Sequence, residues 1–300
     1  MNFKTLAAID IGSNGIRLLI NTVELHPGKS EFKNIAYLRV PIRLGEDVFT
    51  TGKISAPKAS QLKDAIYAFA HLLPAYRVDH YKACATSAMR EAKNGEEIIA
   101  KVCKASGLDI PIIDGIEESN LLSSTGTFDA CLPEQGACLF VDVGGGSTEI
   151  VVHVDKKEAE RYSFSVGTVR MLVDAVDPAE VERMKSVLSY LAIRHTPVSL
   201  VASGGNINKV KKILDKKECA PVLFDELAGL YAKLAPISVD ERQSLFQLKY
   251  YRADVIVHAL KIFLTIGEHC PSLKELYIPK VGISDGLIRS LCRELYPNNC

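Results

Sequence analysis

The stretch FVDVGGGSTEIVV, residues 140–152, places an apolar run, an aspartate, three glycines, two hydroxyl residues, a glutamate and a second apolar run in succession. This order reads as a strand, an anion-binding turn and a returning strand. Asp142 stands where the first strand runs out, and Gly144, Gly145 and Gly146 leave no side chain between the backbone N–H groups and an anion. Ser147 and Thr148 add hydroxyl donors. A carboxylate beside such a turn suits a divalent cation shared with phosphate oxygens, since magnesium usually takes one or two carboxylates together with phosphate. On this segment alone, a glycine-rich hairpin with no ligand is the competing reading.

The same grammar occurs earlier. Asp10-Ile11-Gly12-Ser13-Asn14-Gly15-Ile16-Arg17 aligns with residues 142–149, aspartate on aspartate and glycine on glycine, with Arg17 falling where Glu149 stands. The spacing of the copies is about one α/β domain, so a duplicated domain is expected, with the two turns gripping a phosphate chain from both sides of a cleft.

Composition narrows the class. With 300 residues, 47% hydrophobic and 24% charged, the chain has material for two ordinary globular domains. Lys+Arg and Asp+Glu are 36 each, so bulk charge makes no case for nucleic-acid or membrane binding, and an anion site has to come from local clustering. Asp10 interrupts the apolar N-terminal stretch and no small-residue cleavage pattern follows, so a cytoplasmic location without export is expected. Eight cysteines lie scattered with no CxxC pair, which points to reduced thiols rather than a disulfide frame or a structural zinc site.

Along the chain, residues 6–11, 16–23 and 32–40 read as a β-meander, and the following RVPIRLGEDV as a loop with Arg39 and Arg43. A helix capped by Ser55 ends at Pro74, and a strand over 80–85 leads to ATSAMREA, where Arg90 lies one turn into a helix. Helix N-termini favour anions, making Arg90 a candidate phosphate ligand; an exposed ion-paired arginine is the alternative. A helix over 96–106 and a strand over 111–114 precede Glu117-Glu118, adjacent carboxylates that the dipole of a helix start favours without any catalytic task. A hinge is expected over 118–127. The second copy supplies strands at 137–143, 148–154 and 161–166, a helix capped by Asp177-Pro178, and a strand over 198–202 ending in Ser203-Gly204-Gly205-Asn206-Ile207-Asn208-Lys209. Gly204, Gly205, Asn206 and Lys209 are therefore candidates for a distal phosphate or a nucleotide, while the lysines from Lys209 to Lys217 equally describe a solvated helix face. Ser238 with Glu241 forms a capping box, 253–269 reads as a long apolar helix, 275–279 as a last strand, and a closing helix ends near Tyr296.

Taken in order, AIDIGSNGIRLL, RLGEDV, ATSAMREA, GIEES, VDVGGGSTEIVV, SVGTVRM, ASGGNINKV, RADVIVHALKIF and VGISDGLI resemble the exopolyphosphatase / guanosine pentaphosphatase (Ppx/GppA) family over nearly the whole chain. The resemblance implies an α/β fold of two tandem RNase H-like domains of the actin-like ATPase superfamily with a cleft between them. The expected division is 1–122, with a closing helix at 286–300 packing back on it, and 123–285. It implies that Glu118 activates the attacking water and that Asp142 and Glu149 hold a divalent metal, Mg2+ or Mn2+, with Asp10 as a third acidic candidate. Ser13, Asn14, Arg90, Gly145, Gly146, Ser147 and Thr148 match phosphate-contacting positions, and Arg17 and Gly144 join them from the residue reading. Polyphosphate or guanosine pentaphosphate is the implied substrate, and a homodimer is expected because soluble proteins commonly form one. Three departures stand out. Gly15 replaces a serine, Asn206 and Asn208 replace more usual residues, and the C-terminal helical extension of many members has no counterpart before Cys300, from which short polyphosphate chains are expected. An actin-like ATPase or small-molecule kinase, and a non-catalytic polyphosphate or alarmone sensor, are the rival readings.

Overall fold

The computed structural model describes residues 3–123, 125, 135–217 and 220–299. The chain separates into two compact units, Met1–Thr125 with Gly282–Cys300, and Gly126–Val281.

In the first unit β1 (Phe3–Gly12), β2 (Gly15–His26) and β3 (Lys29–Val40) form an antiparallel meander, and β4 (His80–Ala85) pairs parallel with β1, giving the order β3-β2-β1-β4. The near-continuous apolar run of β1 follows from burial on both faces. Ala7, Ile9 and Ile11 pack under α1 (Leu44–Thr51), α2 (Ala56–Ala75), α3 (Ser87–Glu91) and α4 (Gly95–Ser106), while Leu6 and Ala8 enter a second cluster with Leu121 of α5 (Gly115–Ser123).

The second unit repeats the plan. β5 (Ala137–Val143), β6 (Thr148–Val154) and β7 (Lys157–Phe164) form the meander, β8 (Ser199–Ser203) runs parallel to β5, and β9 (Val222–Leu223) and β10 (Glu275–Tyr277) complete the order β7-β6-β5-β8-β10-β9. Its helices are α6 (Thr168–Leu172), α7 (Pro178–His195), α8 (Gly205–Ile213), α9 (Phe224–Leu234), α10 (Val239–Phe246), α11 (Tyr250–Ala253) and α12 (Ile256–His269). α13 (Ile283–Leu295) then belongs to the first unit, burying Leu287, Ile288 and Leu291 beside β1, each worth about 2 kcal/mol as buried apolar side chains. A Cβ on Gly286 would lie 2.2 Å from the Leu121 carbonyl oxygen, so a side chain there would push α13 off α5.

Local signals held where the stabilising partner is close in sequence. Asp177 accepts from the Ala179 N–H at 2.9 Å, and Ser238 with Glu241 forms the capping box. Differences arise where partners are distant. The RLGEDV segment, expected as a loop, is helix α1. Its N-cap Arg43 has φ 58°, and the Lys58 ammonium holds the Arg43 carbonyl at 2.7 Å while the Gly45 N–H donates to the Ser13 carbonyl at 2.9 Å. Residues 111–114 form no strand beyond a single bridge from Ile112 to Ala85. Pro74 sits inside the last turn of α2, which ends at Ala75.

Cys84, Cys103, Cys138 and Cys270 are free. Cys131, Cys219 and Cys300, and part of the expected hinge over 118–127, lie outside the described residues. No helix of the described residues is long and apolar enough to cross a membrane.

Candidate active site: a pinned glycine loop

The loop between β5 and β6 is held from one side. The Gly144 carbonyl accepts from the Thr168 N–H at 3.0 Å and from its hydroxyl at 3.2 Å. The Gly145 carbonyl accepts from the N–H groups of Val169 and Arg170 at 2.8 and 3.1 Å, and the Gly146 carbonyl from Arg170 Nε at 3.0 Å. In a trans peptide the C=O of one residue and the N–H of the next point in opposite directions. Three carbonyls turned toward α6 therefore turn the amides of Gly145, Gly146 and Ser147 the other way. Among the described residues none of these amides donates to a backbone carbonyl. Successive N–H groups aimed to one side make an anion-binding concavity. None of the three glycines is in the left-handed region, so their service is to remove side chains rather than to supply an unusual φ. The tight contact is at Gly167, where a Cβ would lie 2.4 Å from the Gly146 carbonyl carbon and 2.5 Å from the Ser147 nitrogen.

Asp142 and Glu149 are direct partners in the β5–β6 register, with 6% and 0% exposure, so two carboxylates share one face of the sheet away from water. Ser163, the next partner across on β7, donates its hydroxyl to Glu149 Oε1 at 3.2 Å. Like charges directly opposite are destabilising unless a cation or proton intervenes, and hard oxygen donors of this kind fit a divalent cation such as magnesium. Thr148 lies on the same strand but is fully buried, and its hydroxyl donates to the Val166 carbonyl at 2.6 Å, which anchors the loop.

Next to this loop, the turn after β8 lies close to the end of β5. Gly204 has φ 118°, and a Cβ there would meet the Val143 carbonyl oxygen at 2.6 Å. Asn206 is buried, reaches the Thr168 hydroxyl at 3.5 Å and accepts from Arg252 Nη1 at 3.0 Å. A Cβ on Gly205 would lie 2.2 Å from Arg252 Nη2, and Lys209 is half-buried on α8.

The first unit has its own acidic turn with different charge. Asp10 is ion-paired with Arg17 directly across β1 and β2. The Ser13 hydroxyl hydrogen-bonds the Ser87 hydroxyl at 2.7 Å, and the Asn14 carbonyl accepts from Arg39 Nη2 at 3.0 Å. Ser13 and Asn14 are both buried. Arg90, half-buried on α3, donates to the Ile113 carbonyl at 2.6 Å and so ties α3 to the entry of α5. There the Asp114 carboxylate accepts from the Glu117 N–H at 2.8 Å, its carbonyl accepts from the Glu118 N–H at 3.0 Å, and Glu118 is 6% exposed. Burial, together with Asp10, Glu118 and Glu117, holds the Cys84 thiol well above its usual value, which leaves it no role as a nucleophile.

Sequence reasoning assigned no role to Thr168, Arg170 or Arg252. The SVGTVRM and RADVIVHALKIF blocks contained them, but a short helix that grips a distant loop leaves no local periodicity to read.

Two α/β units built on one plan, each with an acidic glycine turn between its first two strands, define a tandem α/β fold. The chain belongs to the Ppx/GppA phosphatase family, whose model matches residues 22–294. Exopolyphosphatase 2 of Mycobacterium tuberculosis (strain CDC 1551 / Oshkosh) is 27% identical, with 97% of this chain and 99% of its own covered. Exopolyphosphatase 1 of Mycobacterium bovis is 31% identical over 55% of this chain and 47% of its own. The crystal structure of the Aquifex aeolicus family member matches the fold with a TM-score of 0.78 at 24% identity, covering 98% of this chain and 99% of that one. An exopolyphosphatase from Cytophaga hutchinsonii matches with a TM-score of 0.82 at 19% identity, covering 97% and 98%.

Proposed function

We propose that the chain is a cytoplasmic hydrolase releasing terminal orthophosphate from inorganic polyphosphate, with guanosine pentaphosphate as a second substrate. The observation that carries the reading is the pinned loop, which turns the Gly145, Gly146 and Ser147 amides to one side beside the facing carboxylates of Asp142 and Glu149. The exopolyphosphatase relatives support the polyphosphate assignment.

In this reading the loop amides and the Ser147 hydroxyl hold the terminal phosphoryl oxygens. Arg90 and Arg17 supply positive charge, and Ser13 and Asn14 line the first acidic turn. Asp142 and Glu149 hold Mg2+ or Mn2+, which when bound would neutralise charge on the phosphate oxygens. Glu118 takes the proton of the attacking water. The leaving group is itself a phosphate, so orientation and charge neutralisation carry most of the barrier and little acid catalysis is needed. Gly204, Gly205, Asn206 and Lys209 are assigned to the next phosphate along the chain or to a nucleoside.

The test is phosphate release with magnesium from tripolyphosphate, long polyphosphate, guanosine pentaphosphate and ATP, for the wild type and Glu118→Gln. Release from the polyphosphates, falling by about 10²-fold or more in the variant with binding retained, is the expected result. Near-normal turnover by Glu118→Gln removes the residue from its role. Phosphorylation of an added acceptor by ATP, without release from polyphosphate, replaces the hydrolase by a kinase.

A further inference from the structure

We infer that Arg170 is a positioning residue for phosphate binding, acting through the Gly146 carbonyl rather than by touching substrate. The inference rests on the reading of the glycine loop as the phosphoryl site.

Arg170 is 9% exposed, and its Nε donates to the Gly146 carbonyl at 3.0 Å. That carbonyl belongs to the same peptide plane as the Ser147 N–H, so the guanidinium fixes the direction in which the last of the three amides points. The other two planes are fixed differently: backbone N–H groups of Thr168, Val169 and Arg170, with the Thr168 hydroxyl, hold the Gly144 and Gly145 carbonyls. The third plane, unlike these two, is held by a guanidinium. Glu180, on the first turn of α7, lies near enough to feel the Arg170 charge, and its carboxylate accepts from the Ser165 N–H at 3.0 Å. Gly167 lets α6 approach the loop closely enough for the contact. A guanidinium also polarises the peptide it bonds, so the Ser147 N–H becomes a stronger donor to an anion on its other side.

The chemistry separates hydrogen-bond geometry from charge. Arg170→Lys keeps the positive charge and most of the aliphatic stem but loses the fixed Nε donor. Methylenediphosphonate, whose P–C–P bridge resists hydrolysis, is titrated into the wild type and the variant in magnesium, followed by calorimetry and by the amide resonances of Gly145, Gly146 and Ser147. We expect the dissociation constant to rise about tenfold in Arg170→Lys, the scale of a lost hydrogen bond to a charged group. The ligand-induced shift of the Ser147 amide should shrink more than that of Gly145. Affinity within about twofold of wild type, with only the melting temperature lowered, overturns the inference, because a purely structural arginine leaves the folded fraction binding normally. Should the lysine variant lose its thermal transition, Arg170→Gln is read by the same titration and the same criterion. A wild type that binds the diphosphonate yet releases no phosphate from tripolyphosphate refutes the hydrolase reading and leaves this one standing; a wild type that does not bind it overturns both.

Discussion

Asp10 and Arg17 stand directly opposite each other on β1 and β2 as an ion pair, whereas at the matching place in the second unit Asp142 faces Glu149. The duplicated turns therefore carry opposite electrostatics. The first supplies its own counter-charge and leaves the Arg17 side chain 23% exposed, an arrangement suited to an anion. The second gathers two carboxylates and suits a cation. Asp10 already has a cation beside it in Arg17, which weakens the case for it as a third metal ligand.

The Asp10–Arg17 pair should behave as a coupled unit in stability measurements. Arg17→Met leaves the nearly fully buried Asp10 carboxylate uncompensated and should cost about 3 kcal/mol. Adding Asp10→Asn should recover part of that loss in a denaturant-melt double-mutant cycle. Additive losses would mean that the two side chains do not sense each other.

Asp142 and Glu149 should set metal dependence. Asp142→Asn relieves the like-charge contact, so the metal-free protein should melt no lower than wild type, while the magnesium concentration for half-maximal phosphate release should rise by about tenfold or more. An unchanged magnesium titration would remove Asp142 from the ligand set.

Gly167→Ala places a methyl where only 2.4 Å separates the Cβ position from the Gly146 carbonyl carbon. The loop must shift, and because positioning is the main catalytic device here, a displacement of about 1 Å should lower kcat by roughly 10²-fold. A crystal structure of the variant showing an unmoved loop, with full activity, would refute this account.

His258 should make stability depend on pH. Burial, then the charges of Arg242 and Lys261, hold its pKa below the ordinary value, against a smaller opposing effect of Asp254. The unfolded chain therefore binds more protons once the pH falls below about 6.5, so His258 costs nothing above that pH and destabilises progressively on acidification toward its depressed folded value. The fall in melting temperature between about pH 7.5 and 5.5 should be shallower in His258→Gln than in wild type. Parallel curves would show that other groups carry the dependence.

How much was legible can be read from particular elements. The bounds of β5 and β6 coincide with the sequence expectation, because an aspartate–glycine turn between apolar runs is a local signal. The Asp177 and Ser238 caps were legible for the same reason, each partner lying within three residues. Helix α1 was not, since its left-handed N-cap depends on Lys58 and its first turn on Ser13. The alignment of the two turns set Arg17 against Glu149 without saying that each faces an aspartate across its own sheet; strand register decides that, and register follows from long-range pairing.

The sequence by itself determined the duplicated α/β plan, the acidic glycine turns and the family, all of which rest on short-range patterning and on the order of motifs. Only the tertiary structure decided how the glycine loop is oriented, because its peptide planes are held by Thr168, Val169 and Arg170, more than twenty residues along the chain. It also decided that the Thr148 hydroxyl turns into the fold and that Asp10 is neutralised by Arg17. Hydrogen-bond direction is set by whatever partner the fold brings near, and no local run of residues encodes that partner.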